Sequence, residues 1–338
     1  MNDWSLAQLD RDSLDAREMA AWLGRTSPEW FREYLRPTPE ARAAYLGGRF
    51  ASIAAAAHGQ VWAVRRGGAL AALLGYERLA WDCAHFGFEC ARLDVFALSR
   101  DLDAGARAAA MRLGLAQAVA LARAGRVRLL SRRLLAERLN EIRLLEGLGF
   151  TLADSVLTLR RAVEGAAPES GSCRPPRPED LPALRAMIGD AFPHSRFLTD
   201  PIFDRDKGRS LYVSWLDNLF AAALENTPGM RLLVAEEPSG PAGFVALSLP
   251  EQEAEPAEIL LVAVAEGQRG RGIGGRLMGG ALRACRQEAV DQLETTTWVC
   301  AQGPLAFYQK EGFTVVENML SFHLDLGKAP RPDAKAAP

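Results

Sequence analysis

A segment that occurs twice constrains the fold of this chain most. The run GFTLADSVLTL from Gly149 aligns without a gap on GFTVVENMLSF from Gly312. Each copy follows a helical segment, and each glycine suits the left-handed position that ends a helix. The residues after each glycine alternate or stay apolar, as in a β-strand. A chance match of two short strands is the alternative, but the shared Gly-Phe-Thr and the equal placement favour a true repeat.

A polar segment lies between the two copies. Residues 164–180, EGAAPESGSCRPPRPED, are rich in proline, glycine and serine, which is typical of a linker. A chain of 338 residues also exceeds what one core usually organises. We therefore predict an N-terminal domain over residues 1–163, a linker over 164–179 and a C-terminal domain over 180–327. Residues 328–338 are predicted to be a disordered tail.

Composition excludes several classes of protein. The formal net charge of −2 argues against a nucleic-acid-binding protein, which usually has a basic excess. No apolar run is long enough to cross a bilayer, and the first residues lack the pattern of a signal peptide. The five cysteines are scattered, with no Cys-x-x-Cys pair, so neither a metal site nor a disulfide framework is expected. These features predict a cytoplasmic protein that uses no metal.

The stretch EILLVAVAEGQRGRGIGGRLM, from Glu258 to Met278, predicts an anion site. Ile259–Val264 is β-branched and apolar, as in a strand, and a helix is expected from Gly275. A glycine-rich turn before a helix lets the backbone approach an anion, because the first helical N–H groups are unpaired and the helix dipole is positive there. A glycine-rich surface turn without a ligand is the alternative.

The spacing distinguishes among known phosphate loops. The segment has no Gly-Lys-Ser/Thr of a P-loop and no Gly-x-Gly-x-x-Gly of a dinucleotide fold. Arg269-x-x-Gly272-x-Gly274 after a strand instead resembles the acyl-CoA pyrophosphate loop of the GNAT superfamily of N-acyltransferases. The downstream WVCAQGPLAFYQKEGF is similar to the next strand and helix of that superfamily, although Ala301 stands where an asparagine is usual.

Two further segments carry a narrower resemblance. WDCAHFGFECARLD from Trp81 and SRFLTDPIFDRDKGRSLYVSWLDN from Ser195 resemble signatures of TDP-fucosamine and related sugar-nucleotide amine N-acetyltransferases. The resemblance implies an α/β fold of two GNAT-like units in tandem, each a mixed sheet flanked by helices, with the first degenerate. In agreement, the segment after ARLDVF has no Arg-x-x-Gly-x-Gly, and Leu145 stands at the repeat position of Tyr308.

The resemblance also implies roles for individual residues. It makes Tyr308 the general acid and Glu258 a general base, although a core tyrosine and a solvated carboxylate are the alternatives. The residues expected to bind acyl-CoA are Val262, Ala263, Val264, Arg269, Gly270, Arg271, Gly272, Ile273, Gly274 and Gly275. The residues expected to bind the acceptor are Arg196, Tyr212, Trp215, Asn218 and Trp298. Cys300 is expected in the core of a strand, because direct acyl transfer needs no thiol nucleophile.

These observations predict an N-acetyltransferase that moves an acetyl group from acetyl-CoA, or another acyl-CoA, to a primary amine. The expected acceptor is a small molecule, an amino sugar or a sugar nucleotide. A tandem GNAT enzyme acting on another small amine, as in mycothiol synthases, and a non-catalytic acyl-CoA-binding module are the alternatives. No nucleic-acid or membrane partner is expected, and a homodimer is an assembly that the sequence allows.

Overall fold

The computed structural model describes residues 3–14, 17–26, 38–164, 173–189, 191–250 and 255–328. The chain divides into two compact units, of which the first comprises Met1–Asp154 with Met319–Pro338 and the second Ser155–Asn318. Each unit has a mixed sheet with helices packed against it, which confirms the predicted α/β class.

The described residues form strands and helices along both units. The strands are β1 (Trp4–Leu9), β2 (Gly59–Arg66), β3 (Ala69–Arg78), β4 (Cys90–Leu98), β5 (Leu129–Leu135), β6 (Thr151–Ala162), β7 (Cys173–Arg174), β8 (Met230–Glu237), β9 (Gly240–Ser248), β10 (Ala257–Val264), β11 (Gln292–Trp298) and β12 (Thr314–Asp325). The helices are α1 (Arg11–Leu14), α2 (Arg17–Leu23), α3 (Pro39–Ala55), α4 (Ala80–Phe86), α5 (Ala104–Ala124), α6 (Leu139–Gly147), α7 (Leu181–Ile188), α8 (Arg196–Thr199), α9 (Arg205–Leu224), α10 (Ile273–Gln287) and α11 (Gln302–Lys310).

The first unit is built on a sheet with one parallel pair. Strands β1 to β4 pair in sequence as antiparallel neighbours, and β4 pairs in parallel with β5. The C-terminal half of β12 then pairs antiparallel with β5. Helix α5 packs on one face of this sheet through Met111 and Leu115, whereas α3 packs on the other face through Leu46 and Phe50.

The second unit repeats this arrangement. Strands β7 to β10 are antiparallel neighbours, β10 is parallel to β11, and β11 is antiparallel to β6. Helices α10 and α11 pack on one face of the sheet, where Leu277 and Tyr308 belong to the same buried cluster. Helices α7 and α9 pack on the opposite face, with Leu184 and Leu216 at the centre of a second cluster.

The repeat predicted from Gly149 and Gly312 is present in the backbone. Both glycines have left-handed φ angles, 89° and 85°, and each links a helix to a strand of equal length, β6 or β12. The division into compact units does not follow the predicted boundary at residue 163. The units divide within these two strands, because β6 joins the sheet of the second unit and the end of β12 joins that of the first.

The predicted linker is ordered at its C-terminal end. Cys173 and Arg174 form β7, which pairs with Ala235 and Val234 of β8. Arg174 also donates to both carboxylate oxygens of Asp180, at 2.7 and 2.9 Å, and so ties the chain to the start of α7. The rest of the predicted linker, residues 165–172, and the predicted tail from residue 329 lie outside the described residues.

None of the helices within the described residues combines the length and the apolar character that crossing a lipid bilayer requires.

Candidate functional site

Two parallel strands of the second unit separate part of the way along their length. Strand β10 pairs with β11 from Ala257 to Ile259 and no further, whereas its pairing with β9 continues to Val264. A β-bulge between Ile259 and Leu261 marks the point of separation. Bulges bend a strand and interrupt its ladder, so Val262, Ala263 and Val264 pair with β9 on one edge and have no β11 partner on the other; we call the gap between β10 and β11 beyond Ile259 the cleft.

The glycine-rich loop follows directly from this cleft. Strand β10 ends at Val264, and a 3₁₀ turn, Glu266–Gln268, precedes two glycines in the left-handed region, Gly270 at φ 77° and Gly272 at φ 83°. A Cβ atom at either glycine would meet no heavy atom within 4 Å, so backbone conformation and not crowding requires glycine there.

Helix α10 begins without a cap. Its N-cap residue is Gly272, and no side chain accepts a hydrogen bond from the first turn. The N–H groups of Ile273, Gly274 and Gly275 have no intrahelical acceptor, because the first N–H groups of any helix lie before the hydrogen-bonding pattern starts. The helix therefore presents donors and the positive end of its dipole to an anion. We call Arg269–Gly275 the anion loop.

The two arginines of the anion loop are exposed, and each makes a hydrogen bond to a nearby residue. Arg269 Nε lies 3.4 Å from the carbonyl oxygen of Val264, and an Arg271 guanidinium nitrogen lies 2.9 Å from Gln268 Oε1. Gly274 is required by packing, since a Cβ atom there would lie 2.9 Å from the Phe307 ring. This close approach seats the start of α10 on α11, which carries Tyr308.

Tyr308 lies with its hydroxyl at the point where the strands separate. Its side chain is 4% exposed and is hydrogen-bonded to the side chain of Thr295, the last β11 residue paired with β10. The rings of Phe307 and Phe313 lie 5.3 and 5.5 Å from its ring. Burial raises the pKa of the Tyr308 phenol, and the Thr295 hydrogen bond lowers it in part. The phenol is therefore protonated at neutral pH.

Glu258 belongs to a row of charged residues across three strands. It is in register with Glu294 of β11, which is in register with Arg160 of β6. Glu294 is buried and forms an ion pair with Arg160, whose Nε lies 2.8 Å from its Oε1. Glu258 is half-buried at the start of the same strand that forms the cleft. Arg160 and Glu294 were not expected from the sequence, because their pairing depends on which sheet β6 joins.

Aromatic side chains form a wall on the other face of the sheet. Tyr212 of α9 is buried and donates to Ser195 Oγ at 2.6 Å, while Trp215 one turn later is 38% exposed. The Phe192 ring lies 4.5 Å from that of Tyr212 and 5.9 Å from that of Trp298. Phe192 thus connects Tyr212 with Trp298, and the Trp215 ring lies 6.4 Å from that of Tyr212. Phe192 was not expected from the sequence, because it lies in the loop between α7 and α8.

The remaining predicted residues are more scattered. The Arg196 guanidinium lies 4.5 Å from the Phe197 ring centroid, and Asn218 is exposed on α9. Ala301 is buried at the start of α11, with Gln302 exposed beside it. The expectation that Cys300 lies in the core is wrong: β11 ends at Trp298, and Cys300 is exposed in the following turn.

No group of three or more histidine, cysteine, aspartate or glutamate side chains within the described ranges is arranged to hold a metal ion.

Comparison with known proteins agrees with this geometry. Residues 228–315, which include β8 to α11, match the model of the acetyltransferase (GNAT) domain. No curated protein sequence matched the chain.

Solved structures extend the similarity to the whole chain. A GCN5-related N-acetyltransferase from Sphaerobacter thermophilus is 15% identical, with a TM-score of 0.62 and 96% of each chain covered. A tandem GNAT protein from the clavulanic acid biosynthesis pathway is 15% identical, with a TM-score of 0.56 over 97% of this chain and 100% of that one.

A third structure is a GCN5-related glucosamine N-acetyltransferase region of a fungal multi-domain GH3 β-N-acetylglucosaminidase. It is 13% identical, with a TM-score of 0.62 over 96% of this chain, which spans 38% of that longer chain. At such identities the likeness shows the fold. The chain therefore has the fold of the tandem GNAT proteins, and part of its second unit matches the GNAT acetyltransferase domain model.

Proposed function

We propose that the chain transfers an acyl group from acyl-CoA, with acetyl-CoA as the leading donor, to a primary amine of a small molecule. One observation carries the proposal: β10 separates from β11 and leads directly into an anion loop whose helix has no cap. A nucleotide pyrophosphate suits the loop, and an extended amide-containing arm suits the exposed strand edge. The GNAT domain match over the same residues supports this assignment.

The donor would be held mainly by backbone groups. The pyrophosphate oxygens would accept from the N–H groups of the anion loop, with Arg269 and Arg271 supplying positive charge at its rim. The pantetheine amides would pair with the edge of β10 at Val262 and Val264, as an added strand would. This arrangement directs the thioester along the cleft towards Ile259 and the hydroxyl of Tyr308.

The chemistry is a direct acyl transfer. The neutral amine attacks the thioester carbonyl, a C–N bond forms, and the C–S bond breaks as the tetrahedral intermediate collapses. Tyr308 would donate its proton to the departing sulfur; its raised pKa keeps that proton available, and a thiol and a phenol have similar pKa values. Glu258, at the start of β10, would accept a proton from the amine directly or through water.

An amino sugar, free or carried by a nucleotide, is the acceptor that we favour. The aromatic wall of Trp215 and Trp298 offers broad, partly exposed rings beside polar groups, which suits a ligand with both apolar and hydroxyl-bearing faces. Similarity in fold to a glucosamine N-acetyltransferase region is consistent with this choice. The signatures near Trp81 and Ser195 point to the same class of acceptor.

Thiol release from acetyl-CoA tests both parts of the proposal. We expect release with at least one TDP- or UDP-linked amino sugar or free hexosamine, and Trp215→Ala should raise the KM for that amine without changing the KM for acetyl-CoA. Leu224→Ala removes another large exposed side chain of the same helix, 39% exposed against 38% for Trp215, and is the matched control. Release with a different class of amine alone would refute the acceptor, and CoA binding without release for any amine would favour a non-catalytic module.

A further inference from the structure

The first unit contains a cavity at the place where its own parallel strands separate. Strand β4 pairs with β5 from Cys90 to Leu93, and the strands have no register pairs after Arg132 of β5. Beyond that point lies a cavity of about 350 Å³, lined by the end of β4, the start of α5, and the turn from β5 into α6. Ligands of open α/β sheets commonly bind at the carboxyl ends of the strands.

This cavity does not repeat the anion loop of the second unit. Helix α5 has Asp103 as its N-cap, and the Asp103 carboxylate accepts a hydrogen bond from the Ala106 N–H at 2.8 Å. A carboxylate therefore occupies the position that Gly272 leaves open at the start of α10. A pyrophosphate at the N-terminus of α5 would meet that negative charge, so this helix offers no second anion loop; Asp103 does not itself line the cavity.

A buried charge cluster forms one wall of the cavity. Glu141 is fully buried and accepts from Arg132 Nε at 2.9 Å and from Arg138 Nε at 3.0 Å. Arg132 is itself buried and donates to the carbonyl oxygen of Asp94. One carboxylate thus lies between two guanidinium groups on this side of the cavity.

Two further arginines reach the same space. Arg107 projects from the first turns of α5 and donates to the carbonyl oxygen of Ser99, and Arg143 is exposed on α6. Arg107 and Arg138 both line the cavity, and burial and then the charge of Arg138 lower the pKa of the Arg107 guanidinium. Glu137 adds a second carboxylate at the rim, so the guanidinium groups of Arg107, Arg138 and Arg143 and two carboxylates line the cavity.

We propose that this cavity binds a small organic anion, whose phosphate or carboxylate group is held by Arg107 and Arg138. Planar guanidinium groups pair with either oxyanion through two parallel hydrogen bonds. Leu98, Met111 and Leu139 supply an apolar wall for a short carbon skeleton. The volume is near the lower limit of ligand pockets, which favours a metabolite smaller than a nucleotide.

The test is a titration of the full chain with inorganic phosphate and, separately, with succinate, in the presence of saturating coenzyme A to fill the second unit. Calorimetry and thermal melting should both detect binding of one anion. Arg107→Gln should weaken that binding at least about tenfold, since it removes one charged contact. Arg112→Gln, an exposed arginine on the same helix that does not line the cavity, should leave it unchanged.

A second pair of variants guards against a folding defect at Arg107. Asn140 lines the cavity and is exposed, so Asn140→Asp adds a negative charge without disturbing the buried cluster, and Asn140→Ser is its neutral control. The aspartate variant should bind either anion more weakly than the serine variant. Absence of binding of both anions to the wild-type chain, or equal affinities within both pairs of variants, would overturn the proposal.

Discussion

Removal of the Tyr308 hydroxyl gives the sharpest separation between a catalytic and a structural tyrosine. Tyr308→Phe keeps the ring in contact with Phe307 and Phe313 and deletes only the proposed proton donor. General acid catalysis contributes about 10²–10⁴-fold, so kcat should fall within that range while the affinity for coenzyme A changes little. Steady-state thiol release and calorimetry on the same variant measure these two quantities.

The matched control is its hydrogen-bond partner. Thr295→Val removes the same hydrogen bond from a residue that is 1% exposed, and valine keeps the β-branched shape that suits β11. Both variants should lose about 0.5–1.5 kcal/mol of stability, seen as similar shifts in Tm. Only Tyr308→Phe should lose kcat by two orders of magnitude or more. If both variants keep kcat within about threefold of wild type, Tyr308 is structural and water protonates the thiolate.

Three further predictions concern the halves of the chain, the loop and acid stability. Coenzyme A should bind with a stoichiometry of one per chain in calorimetry, and two would show that the first unit also accepts it. Gly274→Ala should lower Tm, because the new Cβ atom would meet the Phe307 ring, whereas Gly275→Ala has room and should keep or raise Tm by gaining up to about 1 kcal/mol of helix propensity. Arg174 lowers the pKa of Asp180, so this carboxylate should stabilise the fold above about pH 4 and lose that effect as the pH falls through its depressed pKa. The difference in unfolding free energy between wild type and Asp180→Asn should therefore shrink on acidification. A difference that stays constant with pH would refute this linkage.

Local features of the site could be predicted from the sequence. The left-handed conformations of Gly149 and Gly312 were predicted, because they follow from backbone sterics at the end of a helix. The apolar run before Glu266 and the periodicity after Gly275 likewise indicated a strand and a helix, although the strand begins at Ala257 and the helix already at Ile273. These features fixed the position of the anion loop.

Features that depend on partners distant in sequence could not be predicted. The alternating pattern of β6 requires a sheet but does not identify which sheet, so the exchange of β6 and β12 between the units escaped detection. The ion pair of Arg160 with Glu294 follows from that exchange. The bulge near Leu261 depends on the β9 register. The position of Cys300 was also predicted wrongly, because β11 ends at Trp298 and Cys300 is the second residue of the turn that follows.

The charge of one residue in the anion loop tests the account most directly. Gly272 has a left-handed φ angle that asparagine and aspartate both tolerate, so Gly272→Asn and Gly272→Asp differ by a single negative charge at the start of α10. Calorimetric titration with coenzyme A should give a Kd for Gly272→Asp at least about tenfold higher than for Gly272→Asn, or about 1.4 kcal/mol. Equal Kd values for the two variants would contradict the assignment of this loop to the pyrophosphate.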